Sequence, residues 1–449
     1  MKLLNTVSFA ALLVLLTASA ASAHPAAEKR AAPKPNAPRV EKKSKQQSKA
    51  EKKKDRYLAI VGGVVHTISG ATIDGATILC KNGKIDTIGR DVTVPKDAKT
   101  LDAAGHHVYP GLIGLQSSGL MGFGNPETSA NVYSLPLTLG LAGGLTTTVT
   151  RNSAVKLTHG TLDGMILKSG LFESIAYNRS NPTARRSFRM ALERIRQHFR
   201  DVEEFERKKA RGDKDAKKPD DRWIRGQYQK ASRLLKGEAT AWIETHESSE
   251  IAAISGLARQ YKFKVVIDGA IESWAVAPEM ARADVAAIVT PRVTLEPDRR
   301  TNRPTGSSIE NARILYERGV PFGIVPRMQF ISTSGLAGRD LLHLPMEAAF
   351  AVRGGLPEHA AIEAITLQAA RILDLDHRIG SIEVGKDADF AITDGPLLHY
   401  LTHVRWTVVN GRIAYDKTKE SLFDHIRPGG NADAPPPSDH WPRSLGEDC

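Results

Sequence analysis

The sequence of 449 residues predicts an α/β fold in which a (β/α)8 TIM barrel is combined with a small all-β unit. The first observation is that short apolar runs alternate with longer amphipathic segments between residues 109 and 386, a length that suits such a barrel. The second is a pair of Asn-Gly turns, Asn82-Gly83 and Asn410-Gly411, each lying between two β-rich runs. The third is that no Gly-x-Gly-x-x-Gly fingerprint opens a helix after an early strand. This absence disfavours the alternative, a doubly wound open sheet.

Six apolar runs are the candidates for buried barrel strands, because each is short and has polar or turn residues on both sides. The six runs span residues 145–150, 160–168, 239–243, 264–267, 285–289 and 321–325. A long charged stretch, 182–237, separates two of these runs. Both signs of charge occur there at helical spacing, which predicts a solvated helical excursion and not a binding patch.

Residues 57–108 have the pattern of short strands, including 76–80 and 84–89 on the two sides of the first Asn-Gly turn. Residues 389–393 and 407–415 are again strand-like. We expect the later strands to rejoin the first ones in a single β unit built from both ends of the domain. The last segment, 418–449, is rich in proline and is predicted to be a partly disordered tail.

The N-terminal segment 1–23 has the features of a secretory signal peptide: one charge at Lys2, an apolar run over 7–16, and the small residues Ala21-Ser22-Ala23 before the cleavage point. The apolar run is too short for the alternative, a membrane anchor, because a spanning helix needs about 20 apolar residues. The sequence therefore predicts an exported protein, periplasmic or secreted.

The positive net charge of +12 is concentrated near the N-terminus. Segment 24–56 carries 12 basic against 4 acidic residues, which leaves a net charge of only +3 for the chain from Tyr57 onward. This segment predicts a disordered basic linker, which either makes a weak contact with an anionic surface or serves as a solubilising spacer. A nearly neutral folded part without interleaved basic and aromatic residues argues against a nucleic-acid-binding protein. The two cysteines, Cys80 and Cys449, exclude a disulfide framework and a four-cysteine zinc site.

Five stretches of the chain resemble landmarks of the amidohydrolase superfamily, in its imidazolonepropionase-like branch. They are 107–113 (HVYPGLI), 143–147 (GGLTT), 367–373 (LQAARIL), 379–389 (IGSIEVGKDAD) and 409–412 (VNGR). The resemblance extends over about 57–417. It implies an amidohydrolase-like barrel over 109–386 and a composite β-sandwich formed by 57–108 and 387–417.

The resemblance also implies a reaction: family members hydrolyse carbon–nitrogen bonds other than peptide bonds, often in cyclic amides, with one or two divalent metals such as zinc at the barrel mouth. In this chain the positions that align with the family's metal ligands carry other residues, so the resemblance implies a degenerate site. These positions are Gln116, Ser118, Glu244, Gly269 and Arg327.

Arg327 is the strongest argument against a bound metal. At an effective dielectric constant near 20, a guanidinium about 4 Å from a divalent cation costs about 8 kcal/mol. We therefore predict no metal cofactor. A metal site of a different design, from Glu244, His246, Asp268 and His159, would have to tolerate this arginine.

Two interpretations of Arg327 remain open: its guanidinium replaces the metal's charge by pairing with Glu244 or Asp268, or it points to solvent. Two functions also remain open. The first is a metal-free binding or partner subunit, which takes a small molecule at the barrel mouth and acts beside an intact amidohydrolase relative or as a homo-oligomer. The second is an active hydrolase of carbon–nitrogen bonds, with His246 as general base, Arg327 as a clamp, and Glu244 and Asp268 beside them. Enzymatic activity is thus left undecided by the sequence.

Overall fold

The computed structural model describes residues 55–177, 179–332 and 340–419. The signal peptide predicted at 1–23, nearly all of the linker at 24–56, and residues 420–449 of the predicted tail lie outside the described residues. The strands of the described part are β1 Tyr57–His66, β2 Thr72–Lys81, β3 Lys84–Gly89, β4 Lys99–Asp102, β5 His107–Pro110, β6 Leu112–Gly114, β7 Leu145–Thr150, β8 Ser153–Lys156, β9 Ile166–Ser169, β10 Phe172–Ser174, β11 Thr240–Glu244, β12 Val265–Asp268, β13 Val285–Val289, β14 Phe322–Ile324, β15 Phe390–Thr393, β16 Val404–Val409 and β17 Arg412–Asp416. The α-helices are α1 Pro126–Ser129, α2 Leu135–Ala142, α3 Pro182–Ala210, α4 Gln227–Leu235, α5 Ser248–Tyr261, α6 Ala277–Ala283, α7 Asn311–Glu317, α8 Leu344–Arg353, α9 Glu358–Ala364 and α10 Leu367–Ile372.

Strands from both ends of the domain form one eight-stranded sheet, which we call the composite sheet. Its order is β17-β16-β15-β5-β1-β2-β3, and β4 pairs with β1. The two ends of the domain meet where β15 runs antiparallel to β5. A separate apolar core, which includes Ile60, Ile78 and Phe390, stabilises this sheet. The expectation that the late strands rejoin the early ones is confirmed.

Both Asn-Gly pairs form the predicted hairpin turns. Asn82 and Gly83 connect β2 to β3, and Asn410 and Gly411 connect β16 to β17. All four residues have positive φ, which a two-residue turn of type I′ requires and which Asn and Gly adopt at low cost. The two turns also touch each other, because a Cβ at Gly83 would lie 3.0 Å from the Asn410 carbonyl oxygen.

The parallel strands of the barrel-like body fall into two hydrogen-bonded sheets. β6 and β7 are parallel, and β10 to β14 form a continuous parallel sheet. Hydrogen bonds link the two sheets on both sides. On one side, Oδ1 of Asn152 accepts the N–H of Phe172 at 2.7 Å and its Nδ2 donates to the Phe172 carbonyl at 2.8 Å. On the other side, the N–H of Ser118 donates to the Gln329 carbonyl at 2.7 Å. An apolar cluster containing Ile113, Val266 and Ile288 connects strands of both sheets from within.

One of the six predicted barrel strands is wrong. The run 160–168 was expected to be a parallel strand, but only Ile166–Ser169 is extended there, and it pairs antiparallel with β8. The reason is the turn at Arg151 and Asn152, whose φ angles of 48° and 66° reverse the chain directly after β7. β8 therefore folds back on β7, and β8 and β9 form a hairpin beside the parallel strands.

The charged excursion predicted over 182–237 contains α3 and α4. Asn181 caps α3, because its Oδ1 accepts the N–H of Ala184, and Pro182 occupies the first turn. One face of the first half of α3, with Phe188 and Leu192, is buried in the main core. No helix of the described residues is both long enough and apolar enough to cross a bilayer.

A completely buried lysine joins the barrel-like body to the composite sheet. Nζ of Lys156, in β8, lies 2.8 Å from a carboxylate oxygen of Asp387 and 2.8 Å from one of Asp389. It also donates to Oδ1 of Asn410 at 2.5 Å. Asp387 and Asn410 accept two of the three N–H donors of the ammonium, and Asp389 is a second ion-pair partner. Arg378 shares the Asp387 oxygen at 2.8 Å.

Candidate functional site

Two carboxylates lie side by side where neighbouring parallel strands end. Glu244 is the last residue of β11, Asp268 is the last residue of β12, and the two are direct register partners. The carboxyl ends of parallel barrel strands form the mouth at which barrel enzymes place their active sites. Glu244 is exposed, whereas Asp268 is partly buried. The structure thus brings these two predicted site residues together.

The Asp268 carboxylate is held by two nitrogen donors. Nε2 of Gln116 donates to its Oδ2 at 2.5 Å, and Nε1 of Trp242 donates to the same oxygen at 3.1 Å. Burial raises the pKa of Asp268 above its ordinary value, and the nearby Glu244 charge adds to the rise. The hydrogen bonds from Gln116 and Trp242 act in the opposite direction, because they stabilise the charged form.

Gln116 is itself fixed by a further donor, since Nε2 of Gln329 donates to its Oε1. Sequence reasoning found Gln116 and Asp268 but missed Trp242 and Gln329. Strand periodicity could have identified Trp242, which lies two residues before Glu244 and therefore on the same face of β11, but not Gln329, which lies beyond the end of β14. Gln329 lies two residues after Arg327. The chain from Gln329 through Gln116 and Asp268 to Trp242 is called the amide–carboxylate chain below.

His246 has a defined tautomer when it is neutral. Its Nδ1 lies 2.6 Å from the carbonyl oxygen of Gly269, and a carbonyl only accepts hydrogen bonds. Nδ1 therefore carries the proton, and Nε2 keeps its lone pair on this exposed side chain. Gly269 has a φ of +75°, and a Cβ at this position would lie only 2.6 Å from Nδ1 of His246. A side chain at position 269 is thus incompatible with the present position of the His246 ring.

The structure does not bring Arg327 to either carboxylate. Arg327 is exposed, and within the described ranges no ion pair of up to 4 Å joins it to Glu244 or Asp268. The interpretation of Arg327 as the metal's replacement in a direct ion pair is therefore wrong, and its orientation fits the alternative, a side chain in solvent. Hydrogen bonds from Gln116 and Trp242 stabilise the Asp268 carboxylate.

The two remaining predicted residues lie apart from this cluster. Ser118 is exposed and joins the two parallel sheets through its backbone, next to Gln329. His159 is exposed between β8 and β9, and its ring meets that of Tyr133 edge to face with centroids 5.6 Å apart. Neither contact involves the carboxylates of the mouth.

The side chains at the aligned ligand positions do not fit a divalent metal. Only Glu244 has a carboxylate or imidazole that such ions prefer, while the other positions carry an amide, a hydroxyl, a hydrogen atom and a guanidinium. Across the part of the chain that the structure describes, no group of three or more His, Cys, Asp or Glu side chains is placed to hold a metal ion.

Buried carboxylates hold the loops that surround the mouth. Glu250 accepts the backbone N–H of Arg179 and the hydroxyl of Thr245. Glu272 accepts the backbone N–H groups of Ser248 at 2.8 Å and Gly306 at 2.7 Å.

Glu347 holds a third loop, because it accepts the backbone N–H of Arg292 at 2.9 Å. Each of the three glutamates is at most 5% exposed. Because breaking a buried, charge-assisted hydrogen bond is costly, these contacts make the loops of the mouth rigid.

Comparison with known proteins agrees with this architecture. A sequence model of the amidohydrolase family matches residues 230–422. The imidazolonepropionase of Alkaliphilus oremlandii is 30% identical over 144 residues, which cover 31% of this chain and 31% of that protein. The imidazolonepropionase of Caldanaerobacter subterraneus subsp. tengcongensis is 29% identical over 160 residues, which cover 35% and 34% of the two chains. The matched region thus spans about a third of the length of these relatives.

Solved structures extend the likeness over most of the chain. An amidohydrolase from Thermotoga maritima matches with a TM-score of 0.59 at 22% identity, covering 80% of this chain and 100% of that one. At this level of identity the match shows a shared fold. The chain thus resembles the amidohydrolase family in sequence over residues 230–422, and it shares the fold of a solved amidohydrolase over most of its length.

Proposed function

We propose that this protein is a metal-free member of the amidohydrolase superfamily that binds a small molecule at its barrel mouth. It does so alone or as the partner subunit of a relative that retains its metal ligands. The observation that carries the proposal is the amide–carboxylate chain. Asp268 receives two N–H donors, from Gln116 and Trp242. These donors stabilise the carboxylate without a cation.

Two further features support the loss of the metal site. Arg327 lies three residues after the end of β14, at the position where the family pattern has a carboxylate ligand. A divalent cation about 4 Å from its guanidinium would cost about 8 kcal/mol at an effective dielectric constant near 20. Position 269 has no side chain, and the ring of His246 fills the space next to it. Restoring a histidine at 269 would require His246 to move.

The rigid loops of the mouth support a retained binding function in preference to the loss of all function. Glu250, Glu272 and Glu347 each fix a loop of the mouth through backbone N–H groups. Such preorganisation lowers the entropic cost of binding a ligand. A barrel without any remaining role would not need three buried carboxylates in these places.

The test is metal content measured by mass spectrometry, on protein purified without chelator or immobilised metal. We expect less than stoichiometric zinc, iron and manganese in the wild type and in Arg327→Asp, because the other ligand positions are also replaced. Nearly stoichiometric metal in the wild type would contradict the proposal. Metal in Arg327→Asp alone would identify the arginine as the main barrier.

A second candidate function, hydrolysis of carbon–nitrogen bonds, is favoured by one observation. In the neutral imidazole of His246, the hydrogen bond from Nδ1 to the Gly269 carbonyl leaves Nε2 with the free lone pair that a general base requires. In this scheme Asp268 and Glu244 lie beside the base, and Arg327 stabilises negative charge. The test compares hydrolysis of a panel of cyclic amides by the wild type and by His246→Gln, with metal-depleted buffers. Turnover that disappears in His246→Gln supports an active enzyme, whereas no turnover above background supports the binding protein.

We also propose that the protein is exported, since residues 1–23 have the pattern of a signal peptide. N-terminal sequencing of the mature protein after expression in a bacterial host tests this. A new N-terminus at His24 is the expected result, and an intact Met1 would contradict it.

A further inference from the structure

We infer that a second site, separate from the amide–carboxylate chain, binds a small aromatic carboxylate in a cavity next to β13. This cavity, called the β13 cavity, has a volume of about 440 Å³. Sites for small organic ligands usually measure roughly 300–1,000 Å³. A deeper recess of about 20 Å³ continues from it toward Ile271 and Asn311 and has room for one water molecule.

The walls of the β13 cavity combine apolar and hydrogen-bonding groups. Pro291, Ile309 and the ring of Phe350 supply apolar surface. Arg292 supplies a guanidinium, and Ser308 a hydroxyl. The hydroxyl oxygen of Ser308 already accepts the N–H of Glu310 at 3.2 Å, so its own proton is available for donation to a ligand.

Arg292 is the residue whose chemistry indicates that the ligand is an anion. Its Nε donates to Glu347 at 2.7 Å, and the guanidinium carbon lies 5.1 Å from the centre of the Phe350 ring. Among the described residues, the hydrogen bond of its Nη1 is a weak one, to the thioether of Met346 at 3.8 Å. The Nη1 edge of a guanidinium that is mostly buried therefore keeps strong donor capacity.

The opposing charge of Glu347 limits the affinity but does not remove the preference. One oxygen of Glu347 accepts the backbone N–H of Arg292 at 2.9 Å, and the other lies 2.7 Å from both Nε and Nη2, so the contacts of Glu347 do not use Nη1. The loop between Thr294 and Ser307 adds three arginines against two acidic residues, a net charge of +1. A carboxylate can accept from Nη1 and from a cavity hydroxyl, while an attached aromatic ring covers Phe350 and Ile309.

The cavity is rigid because its loop is closed on itself. The Leu295 N–H donates to the hydroxyl oxygen of Ser307 at 3.0 Å, and the Ser307 N–H returns to the Leu295 carbonyl at 2.9 Å. Gly306 is held by Glu272, and Trp274 donates to the Gly306 carbonyl at 3.0 Å. A ligand therefore enters a site that is already formed, which reduces the cost of binding.

The test uses two probes of equal ring size, sodium benzoate and benzyl alcohol, titrated against the full chain and followed by ligand-observed NMR. We expect saturable binding of benzoate, and binding of benzyl alcohol about tenfold weaker, because a hydrogen bond to a charged group contributes more than a neutral one. Equal binding of both probes, or no saturable binding of benzoate, would overturn the inference.

Variants locate the site. Ser308→Trp fills the cavity and should abolish benzoate binding, whereas Ser249→Trp, at an exposed position of α5, should not affect it. Ser308→Ala removes only the hydroxyl that is available to the ligand and should weaken benzoate binding severalfold, so the proposal stays testable if Ser308→Trp fails to fold. Undiminished binding in both cavity variants would place the benzoate elsewhere and contradict the proposal. Asp268→Asn should bind benzoate normally, which separates this site from the proposed function of the mouth.

Discussion

Lys156 and Asp387 form a buried ion pair, 2.8 Å long, between β8 of the barrel-like body and the segment that leads into β15 of the composite sheet. The lysine side chain is fully buried, and Asp387 is only 5% exposed. Several charges meet here, since Arg378 and Lys84 also contact Asp387. The pKa of Asp387 is accordingly held below its ordinary value, because these cations outweigh the effect of burial.

Replacing Lys156 by Met should lower the free energy of unfolding by about 3–5 kcal/mol, because it removes the buried cation that lies 2.8 Å from both Asp387 and Asp389 and leaves Asp389 without this ion pair. Urea denaturation measures this change. Lys168→Met is the matched control: it removes an exposed partner 2.9 Å from Asp374 and should cost at most about 1 kcal/mol. Equal costs for the two variants would show that the buried network does not stabilise the joint.

Replacing Gly269 by Ala should be more destabilising than its positive φ alone explains. The new Cβ would press against the His246 ring, in addition to a backbone cost of about 1–3 kcal/mol. Gly75→Ala is the control, because Gly75 has a similar φ of +65° and nothing within 4 Å of the added Cβ.

The part of the destabilisation by Gly269→Ala that exceeds that of Gly75→Ala should disappear when His246 is also changed to Ala. A double-mutant cycle, with unfolding free energies of the two single variants and the double variant, isolates this term. Additive costs would mean that the ring moves aside freely, and the argument that His246 excludes a side chain at 269 would fail.

Removal of either donor to Asp268 should raise its pKa further, because both hydrogen bonds stabilise the charged form. Gln116→Met and Trp242→Phe each remove one N–H with modest change in volume. Carbon-13 NMR of the aspartate carboxyl carbon follows the titration. Gln329→Met is the control: it contacts Gln116 and not Asp268, so a shift as large as that of Gln116→Met would contradict the assigned contacts.

Acid should destabilise the composite sheet through His66. Its ring stacks on Tyr109 with centroids 4.2 Å apart, and its Nε2 lies 2.9 Å from Nδ1 of His107. Burial lowers the pKa of His66 to about 4, and the neighbouring His107 adds to the effect. Between pH 6.5 and about 4 the unfolded chain therefore binds more protons than the folded one, so stability falls as pH falls through this range.

Urea midpoints measured from pH 7.5 to pH 4 check this dependence. His66→Gln should flatten the profile between pH 6.5 and 4, since the group that titrates differently in the two states is gone. His377→Gln, at an exposed position, should leave the profile unchanged. An unaltered slope in His66→Gln would show that other groups cause the acid sensitivity.

Local patterns in the sequence were enough to predict much of the fold. The Asn-Gly turns need positive φ at both residues, and that requirement is visible without any partner strand. The strands near 240–244, 265–268 and 285–289 were found because continuous apolar runs are typical of buried parallel strands. The prediction of a barrel strand at 160–168 was wrong, because an apolar run fits a hairpin strand as well as a barrel strand. Only the chain reversal at Arg151 and Asn152 distinguishes these two possibilities.

The site was predicted less completely. Gln116, Glu244, Asp268 and Gly269 were named from their alignment with a family pattern, but alignment gives positions and not contacts. The sequence analysis did not identify Trp242 and Gln329, because neither tryptophan nor glutamine is typical of a particular kind of functional site. Their function arises from where the strand ends place their nitrogen atoms relative to Gln116 and Asp268.

By itself, the sequence determined that the chain alternates strands and helices and that both ends of the domain contribute β-strands. These properties depend on residue type and on spacing along the chain. Only the tertiary structure decided that Arg327 stays apart from the carboxylates, that Gln116 and Trp242 hold Asp268, and that Lys156 joins the two parts of the molecule. Each of these depends on distances between residues far apart in sequence, which are set by how the strands pack and not by any local propensity.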